Sequence, residues 1–434
     1  MNKRILLLSS VSPKFSAGLV ADYVLALEKA GFIVDILTKY KTDGCKGNII
    51  YAYETEINTR KLISNTKKNI AKNVLQFVRT KIMKYIVGKQ SLSTVFPYNT
   101  LRDFEYPVPS TVYLDKLDKK YDLVFVLYMQ YMFTERSLKD IYDKLQVPIY
   151  AQVIDMYLMT GGCYYPGTCT QFKSGCKRCL FVRNTFQNAF KQHYKDKKEI
   201  YKSIDLRIVG GTWAELFFKQ SLATKDQPFY KQSIIINENI FSIKDKLESR
   251  KIFDISSRKR FVLLAGVANN TPRKGFKYLI KSLNLFYELL PENRRDEVIL
   301  MLIGRGTSDL KKKFKLDLFI TGFLNTELLS LAYSAADIYI SPSIDDVGPS
   351  MINQALMCGT PVVSFNVGTA LDVVRDGETG YAVGLKDYQA MAHALMKLFY
   401  LSPEELLKMK EQCRQLSIEN SSIMVVSNFF KSIL

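Results

Sequence analysis

The stretch SPSIDDVGPSMINQALMCGTPVVSF, Ser341 to Phe365, decides the fold. It begins where the apolar run ADIYI ends, crosses a loop bearing Asp345 and Asp346, enters a helical pattern near Ser350 and returns to a β-rich run, PVVSF. Strand, loop, helix, strand is the repeat of a parallel sheet, because parallel neighbours need a crossover and a helix usually supplies it. The first amides of such a helix point back past the strand end and offer a site for an anion. The two carboxylates beside it can accept hydrogen bonds from hydroxyl groups.

The same grammar extends outward on both sides. SIIIN, RFVLLAGVA, VILMLIGRG, LFITGF, ADIYISPS and PVVSF are short β-rich runs, most of them separated by helical stretches such as KYLIKSLNLFYELL and TELLSLAYSAA. The N-terminal half repeats the pattern: the strand Ile5–Leu8, the helix VADYVLALEKAG, IVDILT, YDLVFVLY from Tyr121 and VPIYAQVID from Val147 to Asp155. Apolar strands alternating with helices predict a parallel sheet covered on both faces. The expectation is an α/β protein of two doubly wound, Rossmann-like domains, residues 1–230 and 231–416, facing across a ligand cleft. A terminal helix, 417–434, is expected to pack back on the first.

Composition narrows the partners. The 434 residues carry 61 Lys+Arg against 42 Asp+Glu, a formal charge of +19, with 47% hydrophobic residues and no low-complexity tract. Disordered and fibrous classes are excluded, and the basic excess points to phosphate or an anionic surface. From Asn58 to Arg102 there is no acidic residue, while ten lysines and arginines interleave with Ile70, Val74, Phe77, Val78, Ile82 and Tyr85 at helical spacing. That pattern fits docking on an anionic membrane and equally fits a packed helix with a solvated basic face. No recognition module for nucleic acid accompanies it. The apolar run at the N-terminus is too short for a secretory signal and Leu123–Phe133, interrupted by Gln130, is too short for a membrane span, so a cytoplasmic location is expected.

With these motifs in place, the chain resembles the retaining glycosyltransferases of family 4, which have the GT-B fold. The resemblance rests on the Pro-Ser strand end, the acidic pair and the Cys-Gly-Thr-Pro-Val-Val run of Ser341–Phe365. It is joined by LLAGVANNTPRKGFKYLIKSL, LMLIGRG, DVVRDGETGYAV and SIIINENIF, in which Asn237 matches a recurrent asparagine. It implies a nucleotide-sugar donor and no catalytic metal. The family's two acidic donor residues, separated by seven others, fall on Asp346 and Gln354, so the second is an amide here. Its cationic pair for the diphosphate falls on Asn269 and Lys274, and Arg273, adjacent to Lys274, can replace the missing arginine.

Three further features complete the expected site. Gly18 lies in the first strand-to-helix loop, where the family places a glycine-rich turn near the acceptor and the donor's β-phosphate. Asp155 stands where related sequences carry His-Asp, here Ile154-Asp155, and is a candidate base or positioning group for the acceptor hydroxyl, or a helix cap. Finally Cys163, Cys169, Cys176 and Cys179 fall within seventeen residues, the last two as C-x2-C. Four thiols suit a structural zinc site, with disulfides or free thiols as alternatives; a similar Thr-Gly-x-Cys insertion occurs in a bacterial polysaccharide-assembly subset of the family. The resulting expectation is a membrane-associated hexosyltransferase with Lys274, Asp345, Asp346 and Gln354 on the donor and Gly18 and Asp155 on a lipid-linked or free glycan acceptor. A sugar-nucleotide epimerase and an inactive carbohydrate-binding relic are the rival readings.

Overall fold

The computed structural model describes residues 3–11, 18–40, 48–53, 108–130, 132–180, 187–266, 271–306, 308–348 and 350–434. The basic segment Asn58–Arg102, Cys45 and Asn269 lie outside the described residues. The chain divides into two compact units, one made of 1–210, 215–230 and 430–434, the other of 211–214 and 231–429.

The first unit is built on a seven-stranded sheet among the described residues. Its strands are β1 (Arg4–Ser9), β2 (Ile33–Tyr40), β3 (Asn48–Tyr53), β4 (Leu123–Tyr128), β5 (Ile149–Gln152), β6 (Leu206–Gly210) and β7 (Phe229–Lys231), in the order β3-β2-β1-β4-β5-β6-β7. From β3 to β6 every neighbouring pair is parallel. Ile5 to Leu8 of β1 are wholly buried, which is why that strand reads as an unbroken apolar run rather than an alternating one. Helices α1 (Leu19–Lys29), α2 (Glu135–Leu145) and α3 (Gln187–Ser203) belong to this unit. Helix α2 starts at a capping box, Thr134 accepting from the Ser137 amide while Ser137 Oγ accepts from the Thr134 amide.

The second unit carries β8 (Phe261–Gly266), β9 (Val298–Ile303), β10 (Leu318–Gly322), β11 (Ile338–Ser341), β12 (Val362–Phe365) and β13 (Gly380–Val383), in the order β10-β9-β8-β11-β12-β13, all parallel. Helix α4 (Phe276–Leu289) turns Leu279, Leu283 and Phe286 into a core it shares with Leu263 of β8 and Leu300 of β9. Helices α5 (Thr326–Ala335) and α6 (Ser350–Met357) flank β11 in sequence, and the chain closes with α7 (Pro403–Ser421) and α8 (Ile423–Ile433). In each sheet the order reverses beside the first strand of its unit, between β1 and β4 and between β8 and β11. That is the switch point at which open α/β sheets bind ligands.

Four sequence expectations shift. SIIIN forms no strand, because its Ile236 amide is taken by the Ser421 carbonyl of α7 rather than by a sheet neighbour. The helix read as 417–434 is two helices that break at Ser422, whose ψ of 160 leaves the helical region. Asp155 stands three residues beyond the end of β5, in a turn. Strands β3, β6, β7 and β13 were not predicted as strands. Among the described residues no helix is long and apolar enough to cross a membrane.

Candidate donor and acceptor sites

Two loops at the carboxyl ends of adjacent strands are knitted together in the second unit. After β8 the chain enters a short turn, Pro272–Lys274, and starts α4 at Gly275, with φ 69. A side chain at Gly275 would meet the Pro342 carbonyl oxygen at 1.7 Å, so only glycine lets the turn approach the loop that follows β11. The Ile344 amide then donates to the Arg273 carbonyl at 2.8 Å. This close packing carries Arg273 and Lys274 to Asp346.

Arg273 Nη1 donates to Asp346 Oδ2 at 3.2 Å and to the Asp345 carbonyl at 3.3 Å. Lys274 Nζ donates to the same Asp346 oxygen. Asp346 is buried, and both cations are only partly exposed. Two cations converge on one carboxylate in the loops that lead into α4 and α6, and the Asp345 carboxylate follows next to it in the chain. Backbone amides at a helix start and a fork-shaped guanidinium both suit phosphate oxygens. Arg273, Lys274 and Asp346 are therefore brought together as read from the sequence, with Asp345 joining through its backbone. Gln354, in the second turn of α6, accepts at Oε1 from Tyr333 OH of α5 at 3.1 Å; no hydrogen bond links it to the other three. Asn237 accepts from the Asn239 amide at 3.1 Å and holds its own turn.

In the first unit, Asp155 is 8% exposed. Its Oδ1 accepts from the Tyr157 amide at 2.8 Å, closing the local turn, and its Oδ2 accepts from Gln130 Nε2 at 2.6 Å. It thus stabilises a turn and faces a cavity of about 20 Å³ lined by Gln130, Gln152, Tyr157 and Tyr164 among apolar side chains. Burial, then the Asp155 charge, pushes the Tyr128 hydroxyl up to about 12. Gly18 sits at the N-terminus of α1 with φ 89, directly after the β1 loop; residues 12–17 of that loop lie outside the described ones.

Sequence reasoning missed the shell behind Asp155. Lys197 of α3 is fully buried, donates to the carbonyls of Tyr157 at 2.7 Å and Thr160 at 3.0 Å, and lies 3.7 Å from the centre of the Tyr157 ring. Tyr157 OH donates to Glu135 at 3.2 Å. His193 lies 3.3 Å from the other Glu135 oxygen. Burial holds its pKa well below the usual range. Gln130 did leave a signal: it is the polar residue that interrupts an otherwise apolar run.

The structure gives the zinc expectation no support. Among the described residues no group of three or more His, Cys, Asp or Glu could hold a metal ion, and Cys163, Cys169, Cys176 and Cys179 form no disulfide. Burial and then mutual proximity push the Cys163 thiol up, and burial is the main cause that takes Cys176 up to about 12. Cys176 accepts a hydrogen bond from the Gly161 amide at 3.3 Å.

Residues 245–416 match the family model described as glycosyl transferases group 1. The chain is 31% identical over 133 residues to a phosphatidyl-myo-inositol mannosyltransferase of Mycobacterium leprae, which uses 29% of this chain and 34% of that protein. It is 28% identical over 175 residues to the O-antigen chain mannosyltransferase B of Escherichia coli, covering 36% and 43%. The chain thus spans less than half the length of these relatives. Among solved structures, a sucrose-phosphate synthase from Thermosynechococcus elongatus superposes with a TM-score of 0.61 at 15% identity, over 100% of this chain and 98% of that one. The Anabaena Alr3699/HepE protein in complex with UDP and glucose gives 0.59 at 12%, over 100% and 99%. The fold is therefore GT-B, two Rossmann-like domains, and the match to group 1 glycosyl transferases lies within the second of them.

Proposed function

We propose that the protein is a glycosyltransferase that moves a hexose from a nucleotide-sugar donor to a hydroxyl of a glycan acceptor, with retention of configuration. The observation that carries this reading is the convergence of Arg273 and Lys274 on Asp346, within the stretch that matches group 1 glycosyl transferases. The cations take the donor diphosphate. As the bond from the anomeric carbon to the diphosphate oxygen breaks, the electron pair leaves with the nucleoside diphosphate, and Lys274 and Arg273 neutralise it without a metal. A bond forms from the acceptor oxygen to the same carbon, and the acceptor proton passes to Asp155. Asp346 and Asp345 accept from hydroxyls of the donor, Gln354 contributes an amide to donor recognition, and Gly18 borders the acceptor.

The acceptor is proposed to be lipid-linked, in surface polysaccharide assembly. The +19 charge and the acid-free basic segment support a station on the inner face of an anionic membrane, and the mannosyltransferase relatives fit the substrate class. The epimerase reading has less support, because the buried His193 does not line the Asp155 cavity.

Calorimetric titration of UDP and GDP into the protein tests the donor site. One of the two is expected to bind, and Lys274→Ala to weaken it roughly 10- to 100-fold, the worth of one charge-assisted hydrogen bond. Equal affinity in the variant and wild type would remove Lys274 from the site.

A further inference from the structure

Gln152, at the end of β5, is 4% exposed, and its two amide atoms have unequal fates. Oε1 accepts from Tyr23 OH of α1 at 3.2 Å, which fixes the amide plane. Nε2 is buried with no hydrogen-bond partner among the described residues. A buried amide donor left unpaired is destabilising, a cost that packing alone does not explain, since a leucine would fill the same space. Gln152 lines the same cavity as Asp155, and the rest of that lining includes Val126, Leu127 and Leu158.

We infer that Gln152 and Asp155 form a seat for one hydroxyl group, the acceptor's nucleophilic oxygen, in the cavity at the ends of β4 and β5; this rests on the glycosyl-transfer reading. The polar inventory matches one ligand chemistry. A hydroxyl offers one proton to give and lone pairs to receive: its proton goes to the Asp155 carboxylate, an acceptor with about four lone-pair sites, and its oxygen receives Gln152 Nε2–H. An anion is repelled by Asp155, and an ammonium finds a donor, Nε2, where it needs an acceptor. The volume of about 20 Å³ admits one oxygen-sized group, so a water fills the same seat. Gln152 is thus the residue that selects a neutral hydroxyl and holds it against Asp155, and Tyr23 is the positioning residue that keeps the amide turned the right way.

Because water fits the seat, donor hydrolysis reads it without knowledge of the acceptor. The full chain is incubated with UDP-glucose and with GDP-mannose, released sugar is followed, and donor affinity is measured by titration in parallel. Gln152→Leu is expected to lower hydrolysis about tenfold or more while donor affinity stays within about twofold. Gln152→Glu, which keeps the bond from Tyr23 but removes the donor, is expected to do the same and serves should the leucine variant fail to fold. Hydrolysis at the wild-type rate in either folded variant overturns the seat alone and leaves glycosyl transfer standing. So does a wild type that binds a donor but releases sugar no faster than buffer. A wild type that neither binds nor cleaves a donor overturns the glycosyl-transfer reading itself, and the seat with it.

Discussion

At the scale of single residues, Asp346 is the most informative, because one of its oxygens takes both Arg273 and Lys274. A diphosphate entering the site competes with that carboxylate for the same two cations. Removing the charge while keeping the shape separates the two contributions. Asp346→Asn is expected to bind free nucleoside diphosphate as tightly as wild type or several-fold more tightly, because the cations are released to the ligand. Sugar transfer is expected to fall about tenfold or more, because a hydrogen bond to the donor sugar is weakened. Titration and turnover on the same preparation check this; a large loss of nucleotide affinity would show that Asp346 supports the site rather than competing for it. Arg273, Lys274 and Asp346 were legible in the sequence because each sits in a compact motif next to a glycine or a strand end. Gln152 was not, because a glutamine at the end of a strand has no pattern. Its meaning lies in one unpaired nitrogen that only coordinates reveal.

Among elements, the turn after β5 depends on a helix that follows it at a distance in sequence. Lys197 of α3 reaches under the turn, donates to the Tyr157 and Thr160 carbonyls and stacks on the Tyr157 ring, whose hydroxyl binds Glu135 of α2. Burial lowers the Lys197 pKa and the Glu135 charge opposes that shift. Lys197→Met fills similar space but strands two buried carbonyls, so urea unfolding is expected to show a loss of about 3 kcal/mol; a variant as stable as wild type would mean that the turn supports itself. The strands and helices around this turn followed from apolar periodicity, as with YDLVFVLY and VADYVLALEKAG. The shell did not, because a lysine in a polar helix, QNAFKQHYKDKKEIYKS, reads as one more solvated charge. SIIIN failed for the opposite reason: its apolar β-branched residues suit a strand, but tertiary packing paired its backbone with α7.

For the whole molecule, the charge of +19 is unevenly spread, and ten of the cations fall between Asn58 and Arg102 without an acidic neighbour. A membrane role for that segment makes a plain forecast: replacing Lys67, Lys68 and Lys72 by Glu is expected to lower binding to phosphatidylglycerol vesicles by on the order of 10²-fold or more at low salt, at roughly 1 kcal/mol per basic residue. Sedimentation with vesicles checks it, and unchanged binding returns the segment to an ordinary solvated face. The two-domain α/β architecture was readable because doubly wound sheets announce themselves by alternation, and the second domain's strand order follows its motifs. The four cysteines show the limit of that reading, since spacing suggested zinc while the described residues hold no group of three or more His, Cys, Asp or Glu placed to take a metal ion.

The central claim is transfer from a nucleotide sugar. Its most direct test is to incubate the full chain with UDP-glucose, UDP-N-acetylglucosamine and GDP-mannose and to follow nucleoside diphosphate release and the anomeric configuration of the sugar product by NMR. Release from at least one donor, with configuration retained and with loss of turnover in Lys274→Ala, is the result expected. Intact donors throughout, with no bound nucleotide detected, would contradict the claim.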